Sequence, residues 1–458
     1  MLSAAVVGAG PSGFYAAQAL LKSGDPEFRV DLLDRLPTPY GLVRSGVAPD
    51  HAKIKGVTKV FERTADLPRF RFFGNVRLGA DVQVADLRRH YQVIVYACGA
   101  ERARSLGIPG EDLRGVHSAA ELVGWYNGHP DYRDREFDLS CRRAAVVGIG
   151  NVALDVTRIL SKAPDSLAAT DIAGHALSAL RRSRLQEVFV LGRRGPAQAA
   201  FSPKEFRDIS EDPAIDLLVT AEDMELDPVS KESLATDAGA NARQNVDYLM
   251  RELEKGEEEQ ERKVRLRLKV SPVEFLGEEG RLKAVRLERN ELYRADDGRI
   301  RPRGTGKFEV LPVGIVFRSV GYRGVPIPGV PFDQRRGKIS NVDGRVAEPE
   351  SGGIVRGEYV VGWAKRGPSG LIGTNRACSV ATVERILQDI RDGKLAVKDD
   401  WTPEGAEAML RAKQPECVTF EDWRVLDRLE MENGKKVGKS RDKFTSIEDM
   451  LAALSAEK

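Results

Sequence analysis

Residues 5–17 read AVVGAGPSGFYAA, and this stretch constrains the start of the fold more tightly than any other. A short apolar run, residues 4–7, meets Gly8, Gly10 and Gly13 at the spacing G-x-G-x-x-G, and an Ala-rich run follows. The order is strand, tight turn, helix. In such a unit the first glycine permits the turn, the second lets a diphosphate approach the backbone, and the third lets the helix pack close on the strand. The helix N-terminus then offers free N–H groups and a partial positive charge to an anion. Taken alone, the motif also fits a glycine-rich turn with no ligand.

Two further features favour a nucleotide. The next strand-like run, residues 29–33, ends in Asp34, an acid placed to bind the hydroxyls of an adenosine ribose. The gap exceeds the usual ~20 residues, and Gly24-Asp25-Pro26 absorbs the excess as a loop. The pattern also recurs: residues 144–153 read AAVVGIGNVA, with Gly148, Gly150 and Ala153 in the three small-residue slots. The strand after this second unit, residues 187–191, ends in Gly192-Arg193-Arg194 rather than an acid. Arginines suit a ribose 2′-phosphate, so the second site is expected to take NADP(H); two exposed turn arginines are the plainer alternative.

A chain of 458 residues suggests about three domains. The net charge of +2 asks for neither nucleic acid nor an anionic membrane, and no apolar run reaches the ~18 residues of a membrane span. The first strand begins too close to the N-terminus for a targeting segment, which suggests a cytoplasmic protein, although a removed presequence would leave no trace. Cys98, Cys141, Cys378 and Cys417 are widely spaced, which disfavours a disulfide framework, a zinc site and a dithiol redox motif; no metal site is expected.

Along the chain, LPTPYGLVRSGVAPDH is a glycine-dotted apolar loop ending in His51, placed to lie along a flat cofactor. Residues 76–84 and 92–97 are expected as strands. The segment 202–208 has Ser202 as helix N-cap and Glu205 at its N3 position, a capping-box pattern. Residues 252–261 form an acidic helix, and Val264, Leu266, Leu268 and Val270 alternate with Arg265, Arg267 and Lys269 as a half-buried strand. GEEG at 277–280 joins a hairpin. A third glycine-rich turn, WAKRGPSGLIGTN from Trp363, precedes a helix over 377–390. The charged C-terminal part, from Lys398 and including Trp401 and Trp423, is expected to be peripheral, with a last helix at 446–454.

Two dinucleotide sites suggest two redox cofactors placed face to face, a flavin adenine dinucleotide and NADP(H), with the cofactors carrying the chemistry and the protein aligning them. With no close cysteine pair, electrons leave to a carrier protein, a quinone or oxygen.

The stretches VVGAGPSGFYAAQALL, PYGLVRSGVAPDH, VVGIGNVALDVTRIL, GRRGPAQAAF, VFRSVGY and GWAKRGPSGLIGTN together resemble NADPH–ferredoxin reductases of the adrenodoxin reductase type, in family order and over most of the chain. The resemblance implies an α/β fold with two Rossmann-like dinucleotide-binding domains. The NADP domain (104–323) is inserted into a discontinuous FAD domain (1–103 and 324–458). It implies FAD contacts at Gly8, Gly10, Ser12, Gly13, Asp34, Leu42, Val82, Trp363, Gly370, Leu371 and Ile372. It implies NADP contacts at Gly150, Asn151, Val152, Arg193, Arg194 and Glu205, with Gly370 also at the nicotinamide end. The family usually has Glu where this chain has Asp34. His51 matches a histidine near the reacting rings, and Asp208 stands where the family has a Glu; both are candidates for proton transfer. The implied partner is a ferredoxin-type iron–sulfur protein as electron acceptor, and the Arg265/Arg267/Lys269 face is either solvated or a docking surface for it. An NADPH-dependent flavin monooxygenase or a quinone reductase would share the two nucleotide sites.

Overall fold

The computed structural model describes residues 1–236, 239–395, 402 and 404–457; Lys398 and Trp401 of the C-terminal part lie outside them. The chain forms two compact units, Met1–Arg102 with Asn127–Pro130 and Gly321–Lys458, and Ala103–Tyr126 with Asp131–Val320. Each is an α/β unit built on a mainly parallel sheet, with the second interrupting the first in chain order.

In the first unit the strand Leu2–Val7 lies between Phe28–Leu33 and Val93–Tyr96, parallel to both. Phe70–Phe73 extends the sheet on one side and Ile354–Val360 on the other, so residues more than 250 apart in sequence share it. The strands are near-continuous apolar runs because helices cover both faces; Ala4, Ala5 and Val6 have no exposed surface. The helix Pro11–Leu21 opens with Gly10 as N-cap and Pro11 at its first position, where a missing N–H costs nothing.

The second unit repeats this plan. Arg143–Val147 lies between Ile315–Arg318 and Glu187–Leu191, with Val116–Ser118, Arg262–Arg267 and Ile215–Leu218 completing six parallel strands. A three-stranded antiparallel sheet, Val270–Glu278, Arg281–Arg294 and Ile300–Pro312, carries the expected hairpin.

Several expectations are corrected. Residues 76–84 are not a strand. Asp81 accepts the Arg77 amide at 2.8 Å and Gly79 N–H donates to the Val82 carbonyl, so the chain turns, and a helix begins at Val84. The strand is instead Phe70–Phe73. The acidic helix runs Ala240–Lys255 and stops at Gly256, whose φ is +72°. The largest difference is at the C-terminus. The helix Phe420–Lys436 is not peripheral: Phe420, Trp423 and Leu426 are buried in the same apolar core as Phe14, Tyr40 and Phe61. Its spacing of apolar residues reads as amphipathic, but which surface would receive it depends on a loop nearly 400 positions away. Trp423 packs edge-on against Tyr40 with ring centroids 5.7 Å apart.

Truncating Trp423 to Ala is therefore expected to cost about 3–5 kcal/mol, the range for a buried aromatic, and to lower the thermal midpoint measurably. A peripheral tryptophan would change stability by no more than about 0.5 kcal/mol, so calorimetry separates the two.

Candidate functional site

The first cradle follows from the close approach of strand end and helix start. Gly8 has φ +109°, and a Cβ there would stand 2.6 Å from the Ala97 carbonyl oxygen. A Cβ on Gly13 would overlap the Gly8 carbonyl. Gly10 differs: a Cβ built on it meets no atom within 4 Å. The first and third glycines are thus required by the fold, whereas the second leaves an open space over the helix N-terminus. Ser12 is buried there; its carbonyl accepts the Ser379 hydroxyl at 2.9 Å, and Gly362 packs on its Oγ.

Asp34 stands at the end of the neighbouring strand. Its carboxylate accepts the Ala9 amide at 2.7 Å and the Leu36 amide at 3.0 Å. Burial pushes its pKa up, and these two amides work against that by favouring the anion. The acid therefore also ties the glycine loop to the strand end, a role the sequence reading did not assign.

Gly41, with Leu42 after it, passes against Gly10, where a Cβ would lie 2.9 Å from the Gly10 Cα. Leu42 begins a one-turn helix, Leu42–Ser45, and is half exposed. His51 is buried at the start of the short helix Ala52–Lys55. Val82 takes a core position, with its side chain fully buried. Trp363 lies in the helix Gly362–Arg366, its ring 5.9 Å from that of Tyr322, and its indole Nε1 is buried with no acceptor among the described residues. Gly370 and the exposed Leu371 lead into the helix Ile372–Arg391.

In the second unit Gly148 has φ +131° and packs on the Ser319 carbonyl, Gly150 is open as Gly10 is, and Ala153 is fully buried in the third slot. Asn151 Oδ1 accepts the Ser202 amide at 2.7 Å, joining the start of the helix Asn151–Ser161 to that of Pro203–Ser210; Val152 follows in the first turn. The backbone carbonyls of Arg193 and Arg194 are held by Asn290 Nδ2 (3.0 Å) and the Lys269 amide (3.1 Å). Their guanidinium groups have no carboxylate partner among the described residues. Burial first, then the adjacent charge of Arg193, lowers the pKa of Arg194. Two adjacent cations without a carboxylate partner have the chemistry that pairs with an anion.

Glu205 is not the reciprocal cap that its position suggests. Ser202 makes no side-chain cap bond, and Glu205 Oε2 instead meets Arg158 Nη1 at 3.3 Å, with Arg158 also on Asp155 at 2.7 Å. Burial, then repulsion from Asp155, raises the Glu205 pKa to about 7. Asp208, one turn on, is ion-paired with Lys204 at 2.7 Å. The basic strand face is also occupied: Arg265 pairs with Glu187 and Arg267 with Glu309, while Lys269 donates to the Glu225 carbonyl. Two of its three cations are thus already paired with carboxylates.

A family profile described as an NAD(P)-binding Rossmann-like domain matches residues 6–73. The chain is 45% identical over 461 residues to NADPH-ferredoxin reductase FprA of Mycobacterium leprae (strain TN), spanning 98% of this chain and 97% of that one. It belongs to the NADPH–ferredoxin reductase family of the adrenodoxin reductase type. It is also 40% identical over 464 residues to the mitochondrial NADPH:adrenodoxin oxidoreductase of Arabidopsis thaliana, spanning 99% and 95% of the two chains. The solved structure of Mycobacterium tuberculosis FprA in complex with NADPH matches with a TM-score of 0.92 at 43% identity, with 99% of each chain covered. In this family member, Tyr322, Arg158 and Arg366 are site-proximal residues that sequence reasoning did not single out. Arg366 donates to Asn375 Oδ1 at 2.6 Å and to the Ser369 carbonyl, bracing the turn before Leu371. It lies inside the GWAKRGPSGLIGTN stretch; the pairing of Arg158 with Glu205, 47 positions away, leaves no local signal in the sequence.

Gly10→Ala should leave the fold and its melting temperature near wild type while abolishing retention of a bound dinucleotide. Gly13→Ala should instead lower the melting temperature sharply, because backbone must move. Absorbance and calorimetry on both variants check this. A second expectation concerns pH. The folded-state pKa of Glu205 is raised, so its contribution to stability is fully present below pH 4.5 and is lost as pH rises through about 7. That contribution is on the order of 3 kcal/mol at most. Denaturant midpoints of wild type and Glu205→Gln, compared from pH 5 to 8, should show the wild type losing ground as pH rises.

Proposed function

We propose that the protein is a flavoprotein oxidoreductase that passes hydride from NADPH to FAD and then single electrons to an iron–sulfur ferredoxin. The observation that carries this is the contrast between the two strand ends. A carboxylate stands beside the first cradle, at Asp34, and two guanidinium groups without acidic partners stand beside the second, at Arg193 and Arg194.

The residues of the first cradle fit FAD. The space over Gly10 would take the diphosphate, on the amides of Ser12 and Gly13 at the helix N-terminus. Asp34 would take the ribose, and the unsatisfied Trp363 indole N–H marks a donor awaiting an acceptor. Leu42, Val82 and Gly370 to Ile372 complete this assignment. Gly150, Asn151, Val152, Arg193, Arg194 and Glu205, with Gly370, are assigned to NADP(H). Residues 1–103 and 324–458 would then be the FAD-binding domain and 104–323 the NADP-binding domain. When bound, the flavin accepts hydride and releases electrons one at a time; the chain's part is to hold both nucleotides and discriminate between them. His51 and Asp208 are assigned to proton handling. The four cysteines are unpaired, which supports a reducing compartment, the cytoplasm. Among the described residues no helix is long and apolar enough to cross a membrane.

Stopped-flow mixing of the purified yellow protein with NADPH should bleach the flavin, and added ferredoxin should restore its colour at the rate the ferredoxin is reduced. A colourless protein, or reoxidation by oxygen alone, would sink the proposal. Replacing Arg193 and Arg194 together with Gln should raise the Michaelis constant for NADPH at least about tenfold, the scale of one lost charge-assisted contact, and leave that for NADH nearly unchanged. An equal loss for both cofactors removes the 2′-phosphate assignment.

A further inference from the structure

The loop that carries Gly41 and Leu42 has an unfavourable conformation of its own. Tyr40 has φ +83° and Gly41 +49°, and for tyrosine that region is strained. The helix that follows, Leu42–Ser45, is a single turn, too short to hold itself in water. Yet this loop forms one wall of the first cradle: the Tyr40 amide donates to the Ala9 carbonyl at 2.8 Å, and Gly41 packs on Gly10. Something else must hold it in place.

The clamps come from the far end of the chain. Glu430, in the helix Phe420–Lys436, has no exposed surface. It receives Arg44 through two bonds, 2.8 Å from Nη1 and 2.5 Å from Nη2, together with Arg441 Nη1 at 2.8 Å and the Phe444 amide at 3.0 Å. The Arg44 guanidinium also lies 5.1 Å over the Trp423 ring. Lys443, nearly buried, donates to the Arg44 backbone carbonyl at 3.1 Å and to the Asn127 carbonyl at 3.2 Å. Trp423 Nε1 reaches the Tyr40 hydroxyl at 3.4 Å. Arg44 is therefore gripped at both its side chain and its backbone by one C-terminal segment, and Tyr40 at its ring. A buried carboxylate is costly unless fully bonded, so the Glu430 cluster is stable in one arrangement and intolerant of others. That property suits a device that fixes a loop.

We propose that Arg44, Glu430 and Lys443 are positioning residues for the first cradle: the C-terminal segment clamps the Tyr40–Ser45 loop against Ala9 and Gly10 and so sets how tightly the dinucleotide there is held. This rests on the reading of that cradle as the FAD site. None of the three touches the reacting atoms; they act through the loop.

The test is the rate of FAD release from the holoprotein, followed by flavin fluorescence after dilution, with visible circular dichroism of the bound flavin as a second signal. Glu430→Gln should accelerate release at least about tenfold, equivalent to losing one decade of affinity, and alter the flavin dichroism. Lys443→Met, a milder change that keeps the proposal testable if Glu430→Gln folds poorly, should accelerate it at least about threefold. Asp389→Asn is the control. Asp389 is also buried and is paired with Arg345 at 2.7 Å and Tyr359 at 3.0 Å in the same unit, so a merely structural loss would appear there too. Smaller accelerations in the clamp variants, or an equal one in Asp389→Asn, overturn the inference. A wild-type protein that retains no FAD would instead overturn the reading of the cradle.

Discussion

The contact on which the rest depends is that of Gly13 with the carbonyl of Gly8. Here the helix leaves the strand so closely that a Cβ on Gly13 would overlap that carbonyl, and the geometry that results leaves an open space over Gly10. Backbone amides aimed into that space make it an anion seat before any side chain is considered. The second unit reaches the same arrangement with Gly148 and Gly150, using a buried Ala153 in the third slot. What distinguishes the two cradles is the charge at the neighbouring strand end, which fold alone does not dictate.

Around the first cradle the sheet is held by a recurrent arrangement of buried carboxylates. Asp31 accepts Tyr91 at 2.6 Å and two Arg71 bonds; Glu358 accepts Tyr96 at 2.8 Å and Arg88 at 2.6 Å; Asp389 accepts Tyr359 and Arg345. In each, a tyrosine hydroxyl and a guanidinium satisfy a charge that would otherwise be expensive to bury. The acidity of each tyrosine is suppressed by burial and by the carboxylate it serves. Glu430 departs from this pattern in taking two arginines, one of which belongs to the cradle loop. The carboxylates of the core and the carboxylate of the clamp obey the same rule, and the latter is bonded to a residue of the cradle loop.

Local patterning revealed much of the parallel-sheet architecture, because a strand-to-helix turn with fixed glycine spacing is determined within about ten residues. Glu187–Leu191 and its terminal arginines were legible for the same reason, as were the hairpin around residues 277–280 and the helix beginning near Asn151. The strand is Phe70–Phe73 and not residues 76–84 because the Asp81 side chain, bonded to the Arg77 amide, turns the chain in the latter stretch. Glu205 was read as a helix cap because its position in the turn permits one. Its real partner, Arg158, is chosen by the packing of two helices that sequence spacing does not relate.

By itself, then, the sequence determined the two glycine turns, the order of strand and helix around each, and the opposite charges at Asp34 and at Arg193 with Arg194. These are short-range features, set by sterics and hydrogen bonding among near neighbours. The tertiary structure alone decided that the C-terminal helix belongs to the core, that Asp34 fastens its own glycine loop, that Arg265 and Arg267 are already paired with carboxylates, and that Arg44 is held by Glu430, 386 positions away. Each depends on which surfaces meet, and burial makes a charge choose its partner only after the chain has brought the two together.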